Sequence, residues 1–304
     1  MKETAPPVEQ RADISESQSS LDTKNIKTVV FGSEHEFDAW YGCSSYFSEA
    51  ENRIYAQRLL ERLYVCDLCF KYSSQGPEMS QHLSVCKQTF KLPGKVVYQR
   101  NQYSIREIDG ATDKCLSLFA KLFLDTKSIF FAVEGFKFYV LMQHSSSRNQ
   151  HAVGFFSKEK LSWDDYNLAC ILVFPPYLGQ GLGQLLISFS YQLSLLQGKI
   201  GSPEKPLSAL GRKSYMAYWC TELARIIMAH DDEDTVSLVD ISRQTAVRLE
   251  DMLEALKEMD AIEEIADGDC TMHVLCKQQI LTYARCNNID ISTSPLIDSK
   301  YIVS

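Results

Sequence analysis

The sequence predicts an α+β fold with a small cysteine-rich module near its start and a winged-helix-like segment near its end. Three observations predict this. Short runs of β-branched and aromatic residues alternate with amphipathic patterns through the middle of the chain. Cysteine and histidine residues between positions 66 and 86 have the spacing of metal ligands. From Leu238 onward, two helical patterns around a turn near Arg243 precede two short strand-like segments.

Composition and charge exclude several classes of protein. The chain has 304 residues, 45% of them apolar, and a net charge of −8. A protein that mainly coats nucleic acid would be basic, so direct DNA contact is not indicated by the charge. Ten cysteines without a secretory signal predict a reducing, intracellular compartment. No apolar stretch has the length of a membrane span, so no membrane partner is expected.

Changes in composition divide the chain into five predicted parts. Residues 1–27 are polar, contain paired prolines and predict a disordered arm. The other predicted parts are an N-terminal region over 28–100 that includes the cysteine-rich module at 66–86, a core over 101–220, a helical winged-helix-like region over 221–285 and a loosely held tail over 286–304.

Local hydrophobic patterns assign the elements in order. Period-two alternation predicts strands, and apolar residues at i, i+3, i+4 and i+7 predict helices. The predicted elements are a strand in 28–47, a helix in 50–66, two strands in 94–110, a helix in 114–125, a hairpin around Glu134-Gly135, strands in 151–159 and 167–175, and a helix over 181–196.

The cysteine-rich module has the ligand spacing of a structural zinc finger. Two residues separate Cys66 from Cys69, three separate His82 from Cys86, and twelve lie between the pairs. A CxxC turn presents two thiolates, and two residues one helical turn apart present the other donors of a tetrahedral site. The alternative is a set of unrelated buried thiols beside a surface histidine. Few cations flank the ligands, so we expect a structural finger rather than one that reads bases.

Gly181 and Gly183 lie between a predicted strand and a predicted helix. Backbone N–H groups at such a turn, together with the helix N-terminus, commonly hold phosphate. The loop is not a Rossmann fingerprint, which needs G-x-G-x-x-G and a distant acid, and no Lys-Ser/Thr follows as in a P-loop. The pattern therefore predicts either a pyrophosphate cradle or a tight turn without a ligand.

Several stretches, in order, resemble the MYST family of histone acetyltransferases over roughly residues 28–280. They are "VCDLCFKY", "AKLFLDTKSIFFAVEGFKFYVL", "VGFFSKEK", "NLACILVFPPY" and the highly specific "GSPEKPLSALG". The short chain and the motif "NLACIL" are most similar to the fungal SAS-type branch of the family, whose members are catalytic subunits of a silencing complex. The resemblance implies a GNAT-like core that binds acetyl-CoA, with the structural zinc finger on one side and the winged-helix-like segment on the other.

The resemblance also implies roles for three residues. Glu204 matches the family's general base, and a lysine ammonium must lose a proton before it attacks a thioester. Cys170 matches the cysteine that faces the thioester, and the sequence leaves open whether it takes the acetyl group covalently. Lys127 matches the lysine that becomes acetylated in the family's active sites. The alternative interpretation, without the resemblance, is that Glu204 is an exposed loop residue, Cys170 packs in the core and Lys127 is solvated.

The coenzyme-binding residues implied by the resemblance lie mostly on one stretch. The chain departs from the family at Leu178-Gly179, where Gln-Arg is usual, at Gln184, where a cation is common, and at Ala217, where a serine is usual. Each lost charged hydrogen bond costs about 1.5–3 kcal/mol. The implied residues are Ile171, Leu172 and Val173 along the pantetheine arm, Leu178, Gly179, Gln180, Gly181, Leu182, Gly183 and Gln184 around the pyrophosphate, and Ser208.

The leading interpretation is a nuclear enzyme that moves acetyl from acetyl-CoA to a lysine of a histone tail, with histone H4 favoured, in silencing or transcription regulation. No histone-reading module is recognisable, so non-catalytic subunits of a chromatin complex are expected beside the nucleosome. One alternative is a non-catalytic chromatin scaffold with a weakened coenzyme loop, against which Cys170 and Glu204 argue. Another is a small-molecule acetyltransferase, against which the zinc finger and "GSPEKPLS" argue.

Overall fold

The structure is a computed structural model that describes residues 24–48, 59–89, 93–112, 115–124, 132–146, 149–230, 237–267, 270–292 and 296–303. Its mixture of sheets and helices confirms the predicted α+β class. The strands are β1 Ile26–Phe31, β2 His35–Asp38, β3 Leu60–Val65, β4 Tyr72–Ser73, β5 Lys95–Arg100, β6 Tyr103–Asp109, β7 Phe136–Ser146, β8 Asn149–Glu159, β9 Tyr166–Leu168, β10 Cys170–Val173, β11 Ser202–Pro203, β12 Ile262–Asp267 and β13 Cys270–Leu275. The helices are α1 Gly76–Thr89, α2 Cys115–Lys121, α3 Leu182–Leu196, α4 Ala209–Ile227, α5 Leu238–Thr245, α6 Leu249–Glu258 and α7 Lys277–Cys286.

A five-stranded antiparallel sheet in the order β10-β8-β7-β6-β5 forms the centre of the molecule. Consecutive residues of β7 from Phe138 to Met142 are buried, so both faces of this sheet are covered. On one face Phe189 of α3 packs against Tyr139 and Phe156, whose rings stack at 4.7 Å. Burial of both faces explains why these strands read as nearly continuous apolar runs in the sequence.

An aromatic cluster joins the N-terminal sheet, in the order β2-β1-β3-β4, to the centre of the molecule. The ring of Phe31 on β1 stacks on Phe119 of α2 at 5.2 Å between centroids. Phe174, which follows β10, meets Phe119 edge-on at 5.1 Å and Phe31 at 5.6 Å. All three rings are buried. The N-terminal region and the central sheet therefore share one hydrophobic core.

The predicted helix in 50–66 is wrong over its second half. Residues 60–65 are β3, which pairs in parallel with β1. The side chains of Leu60, Leu63 and Val65 are buried, and the three-residue spacing of Leu60 and Leu63 also fits a helix. The pairing with β1 decides the outcome, because tertiary contacts override a local pattern. The single strand predicted in 28–47 is instead a hairpin of β1 and β2.

Most of the other predicted elements are confirmed as strands and helices of the structure. The helix predicted over 181–196 is α3, and the two strands predicted in 94–110 are β5 and β6. The turn between α5 and α6 lies at Ala246, in the left-handed region, rather than near Arg243. Strands β12 and β13 then pair antiparallel, which completes a helix-turn-helix and ribbon. The first arm of the hairpin predicted around Glu134-Gly135 lies largely outside the described residues.

The predicted boundaries do not coincide with the elements. A boundary at residue 100 would separate β5 from β6, which are neighbours in one sheet, and a boundary at 220 would cut α4. Residues 1–23 of the predicted arm lie outside the described residues, and β1 already begins at Ile26. In the described ranges, no helix combines the length and apolar character needed to cross a bilayer.

The prediction of a loosely held tail is wrong for residues 296–303, the described end of the chain. The N–H of Val303 donates to the carbonyl of Val97 on β5, and Ile302 forms a bridge with Tyr98. The guanidinium of Arg100 lies 5.2 Å from the centroid of the Tyr301 ring. The side chain of Ile297 is 1% exposed. This segment therefore covers the outer edge strand of the central sheet, which leaves fewer unpaired backbone groups at that edge.

Replacement of Ile297 by alanine is expected to lower the free energy of unfolding by about 2–5 kcal/mol, because it leaves a cavity in a packed site. The matched control is Leu296→Ala, since the Leu296 side chain is 51% exposed. The control is expected to change stability by less than about 0.5 kcal/mol. Urea denaturation followed by circular dichroism measures both. Equal effects of the two substitutions would contradict a docked tail.

Candidate functional site

One extended run of backbone changes its partner strand at the centre of the candidate site. Residues 166–168 (β9) pair in parallel with β11, whereas residues 170–173 (β10) pair antiparallel with β8. Ser157 of β8 fixes the change: its carbonyl accepts from the N–H of Ala169 at 2.7 Å, and its hydroxyl accepts from the N–H of Cys170 at 3.2 Å. Among the described strands, none pairs with the outer side of β10, so an extended ligand could add there as a further strand.

The change of partner brings Cys170 and Glu204 onto neighbouring segments. Glu204 directly follows β11, and its N–H donates to the carbonyl of Leu168 at 2.9 Å. Leu168 is two residues from Cys170, whose side chain is half-buried. The Glu204 side chain is exposed. A carboxylate and a thiol thus lie on the two segments that separate at Ala169, an arrangement suited to proton transfer beside a reacting group.

The loop after β10 has the backbone geometry of an anion cradle. A 3₁₀ turn at Pro175–Tyr177 leads into the loop, and α3 begins at Leu182 without a side-chain cap at its N-terminus. Gly179 and Gly181 have φ of 77° and 75°, which favours glycine. Within the described part of the chain, the backbone N–H groups of residues 179–184 donate to no acceptor. These donors and the positive end of α3 can hold a pyrophosphate.

Tyr177 holds the start of this loop against the N-terminal region. Its hydroxyl lies 3.1 Å from Nε2 of His35 on β2. The ring of His151 on β8 stacks against the Tyr177 ring, with 5.5 Å between centroids. Burial, followed by the charges of Asp67 and Glu34, raises the pKa of Tyr177 to about 12. The phenol therefore stays protonated at neutral pH, and its hydrogen bond with His35 holds the start of the loop in place.

Three other predicted site residues, Gln184, Ser208 and Lys127, are not seen with their side chains directed at the glycine loop. The Gln184 side chain donates to the carbonyl of Ser214 on α4 at 2.7 Å, so only its backbone faces the loop. Ser208 is the N-cap of α4, where its hydroxyl oxygen accepts from the N–H of Gly211 at 3.1 Å. Its O–H can still donate to a ligand. Lys127 lies outside the described residues.

A buried carboxylate near Glu204 was not found by sequence reasoning. Asp251 of α6 accepts a hydrogen bond from Nζ of Lys205, the residue after Glu204, at 2.8 Å. The sequence contains one signal for it, because Asp251 shares the buried stripe of α6 with Met252, Ala255 and Leu256. An acidic residue on the apolar face of an amphipathic helix indicates a paired, buried charge.

The four predicted metal ligands converge in one cluster. The chain turns tightly after β3, where the N–H of Phe70 donates to the carbonyl of Cys66 at 3.1 Å, and this turn presents Cys66 and Cys69. His82 and Cys86 face them from consecutive turns of α1. The four donor atoms lie within 4.8 Å of one another. The predicted Cys₃His site is therefore assembled without any further element of the fold.

The donor distances fit zinc. Sγ of Cys66 lies 3.8 Å from Sγ of Cys86, and Sγ of Cys69 lies 3.3 Å from Nε2 of His82. Tetrahedral zinc with Zn–S bonds of about 2.3 Å and Zn–N bonds of about 2.0 Å places two sulfurs about 3.8 Å apart and a sulfur and a nitrogen about 3.5 Å apart, close to both observed distances. All four ligand positions are filled by protein side chains, which is typical of a structural site rather than a catalytic one.

Comparisons with known proteins agree with both parts of this geometry. The model of the MOZ/SAS family matches residues 91–302, and that of the MYST family zinc finger domain matches residues 23–86. The histone acetyltransferase SAS2 of Saccharomyces cerevisiae is 38% identical over 80% of this chain and 77% of its own length. The putative MYST-like histone acetyltransferase 1 of Oryza sativa is 35% identical over 95% of the chain. The histone acetyltransferase MOF of Drosophila melanogaster is 38% identical over 82% of it.

The chain spans part of these longer relatives. It covers 63% of the length of the rice protein and 29% of the length of MOF. The matched segment contains the zinc cluster, β10, the glycine loop and the segment that carries Glu204.

Replacement of Cys86 by serine is expected to abolish stoichiometric zinc binding, because it removes one of four ligands. The unaltered protein should contain about one zinc per chain, and loss of the metal should lower its melting temperature. Elemental analysis of the purified protein measures the metal. Cys286→Ser is the control, since Cys286 is exposed and outside the cluster. A Cys86→Ser protein that keeps a full equivalent of zinc would contradict the assignment.

Proposed function

This chain belongs to the MOZ/SAS family of MYST-type histone acetyltransferases, and we propose that it uses Glu204 to deprotonate the histone lysine that accepts the acetyl group of acetyl-CoA. The observation that carries the proposal is the hydrogen bond between the N–H of Glu204 and the carbonyl of Leu168. This bond joins the segment that carries Glu204 to the extended backbone of β9 and β10, which contains Cys170. A base must lie within reach of the proton it removes, and a backbone tie between the two segments supports the proposal that Glu204 does so.

Acetyl-CoA would lie along β10 and the glycine loop. The pantetheine arm would extend along the open edge formed by Ile171, Leu172 and Val173, where main-chain groups pair with an added strand-like ligand. The pyrophosphate would accept from the free N–H groups of residues 179–184 at the start of α3. In this proposal the backbone donors hold the pyrophosphate, and Leu178 and Gly179 contribute no polar or cationic side chain to it.

The proposed reaction proceeds by attack of a neutral amine. The Glu204 carboxylate takes a proton from the substrate ammonium, and the nitrogen lone pair then attacks the thioester carbonyl carbon. The C–N bond forms, the C–S bond breaks, and the electron pair leaves with the coenzyme sulfur, which takes up the second proton that the nitrogen loses. The half-buried thiol of Cys170 would border the thioester.

Two routes share this base and differ at Cys170. In one, the lysine nitrogen attacks the bound thioester directly. In the other, the Cys170 thiolate first takes the acetyl group and releases the coenzyme thiol, and the lysine then attacks the acetyl-cysteine. Mass spectrometry of the acid-quenched Cys170 peptide distinguishes them, because only the second route leaves an acetyl group on that peptide.

Histone H4 is the proposed acceptor, within nucleosomes and in the nucleus. The proposal rests on the resemblance of the quoted stretches to the SAS-type branch of the family and implies a role in silencing. Non-catalytic subunits are proposed to supply targeting, since the described ranges hold a zinc finger, a catalytic core and a helix-turn-helix with a ribbon. The net charge of −8 is compatible with a lysine-rich substrate.

Replacement of Glu204 by glutamine is expected to lower kcat by about 100- to 10,000-fold, because the amide cannot accept the lysine proton. Binding of acetyl-CoA should be unchanged. The measurement is transfer of labelled acetyl from acetyl-CoA to nucleosomes, with the histones resolved so that label on histone H4 is seen. Glu250→Gln is the control, an exposed glutamate on α6. Full activity of the Glu204 variant would refute its role as base, and a folded, zinc-loaded complex without transfer would favour the scaffold alternative.

Replacement of Gly181 by valine is expected to raise KM for acetyl-CoA by about tenfold or more with a smaller change in kcat. A β-branched residue strains the backbone at φ of 75°, and the loop would lose its cradle shape. Gly198→Val is a matched control, because Gly198 has φ of 63° just beyond the opposite end of α3. The control should show similar destabilisation with an unchanged KM. An equal rise of KM in both variants would exclude a specific role for the loop.

A further inference from the structure

Phe70, which directly follows the zinc ligand Cys69, has an unusual backbone conformation. Its φ is 58°, in the left-handed region, where a bulky side chain is a rare outlier. Two main-chain bonds close the turn around it: the N–H of Phe70 donates to the carbonyl of Cys66 at 3.1 Å, and the N–H of Cys66 donates to the carbonyl of Lys71 at 2.8 Å. Glycine would adopt this conformation without strain. The strain therefore indicates a role for the Phe70 side chain.

The Phe70 ring lies in the main core rather than with the zinc ligands. Cys66 and Cys86 pack with Met79 in a small separate cluster. The Phe70 side chain is 4% exposed and belongs to the core that the N-terminal region shares with the central sheet. Of residues 66–71, all of which the structure describes, Phe70 is the one that enters this core. The ring is thus the packing connection between the metal-binding turn and the centre of the molecule.

Phe70 contacts the residue from which the glycine loop departs. Its ring meets Phe174 edge-on with 5.9 Å between centroids, and it lies 5.5 Å from the ring of Phe119. Both distances are typical of favourable aromatic pairs. Phe174 is fully buried, and its carbonyl accepts from the N–H of Tyr177 at 2.9 Å, within the 3₁₀ turn that leads into the loop. The position of Phe174 therefore sets where the loop begins.

The glycine loop has few contacts of its own to fix its shape. Within the described part of the chain, the N–H groups of residues 179–184 donate to no acceptor, and a Cβ added at Gly179 or Gly181 would meet no atom within 4 Å. The loop is therefore held mainly at its two ends, by the turn at Pro175–Tyr177 and by α3. Donors that are already in place bind an anion more tightly, because less conformational entropy is lost on binding.

We propose that Phe70 is a positioning residue for the coenzyme: the metal-binding turn holds its ring against Phe174, and this contact fixes the start of the glycine loop. The proposal rests on the proposed place of acetyl-CoA in this loop. It implies that the zinc site and the coenzyme site are energetically coupled, although no zinc ligand belongs to the loop. A change in the metal-binding turn moves the ring, and a shift of Phe174 is transmitted to the loop because the core between them is closely packed.

The test compares Phe70→Gly with Phe70→Leu in the zinc-loaded full chain. Glycine suits a φ of 58° and removes the ring, so the protein should keep its zinc while the Kd for acetyl-CoA rises by about tenfold. Leucine keeps apolar bulk against Phe174, so the Kd should stay within about threefold of the unaltered value. Isothermal titration calorimetry measures the Kd at a temperature at which circular dichroism shows each variant to be folded.

Ile297→Ala is the control for general destabilisation. Ile297 is 1% exposed and belongs to the segment that covers β5, at the opposite edge of the central sheet from β10. This variant should have a lower melting temperature and an unchanged Kd for acetyl-CoA. If Phe70→Gly behaves in the same way, its ring is merely part of the core and the proposal is overturned.

A second readout uses the unaltered protein and does not depend on activity. Coupling between two sites is reciprocal, so saturating acetyl-CoA should slow the transfer of zinc to a colorimetric chelator severalfold. The Phe70→Gly protein should lose this protection. No protection in the unaltered protein, or equal protection in both proteins, would overturn the coupling.

Gly181→Val separates a failure of this inference from a failure of the proposed coenzyme site. If Gly181→Val leaves the Kd for acetyl-CoA unchanged, the coenzyme does not bind in the glycine loop, and both proposals fail. If Gly181→Val weakens binding while Phe70→Gly does not, the coenzyme site stands and only the role of Phe70 is overturned.

Discussion

The hydrogen bonds at Ala169 are the constraint on which the candidate site depends. Ser157 holds the N–H groups of Ala169 and Cys170, so β10 stays on β8 while β9 turns to β11. A continuous strand in this place would pair along its whole length and leave no gap beside the edge of the sheet. The separation of partners brings the outer edge of β10, the Cys170 thiol and the segment that carries Glu204 onto neighbouring stretches of backbone.

The rest of the fold supports that separation from two sides. On the side of the glycine loop, the cluster of Phe31, Phe119 and Phe174 joins the N-terminal sheet to the end of β10. The zinc ligands fix the turn after β3 against α1, and β3 pairs with β1 of the same sheet. A structural metal at this place stabilises a region that lacks a large core of its own.

On the other side, the helix-turn-helix contacts the residues on both sides of β11. Gly201 bonds to Ala246 at the turn between α5 and α6, and Lys205 bonds to Asp251 four residues before Ala255 on the buried stripe of α6. A region that looks in sequence like a separate module is thus continuous with the candidate site. The predicted boundary at residue 220 falls within α4, which packs against both α3 and α6.

Local chemistry was sufficient for the zinc ligands and the glycine turn. The spacing of Cys66, Cys69, His82 and Cys86 defines a tetrahedral site that needs no distant partner, and glycines at positive φ mark the loop before α3. The proposed roles of Glu204 and Cys170 rest on the resemblance of their motifs to the family, since an exposed glutamate and a half-buried cysteine carry no local signal of proximity. Three other features depended on segments far apart in the chain: the strand conformation of β3, the docking of Ile297 and the pairing of Asp251 with Lys205.

The sequence by itself determined ligand types, turn conformations and helical periodicity, because these depend on neighbouring residues. Only the tertiary structure decided which edges paired and which charges were buried, because those free energies depend on partners that local sequence does not specify.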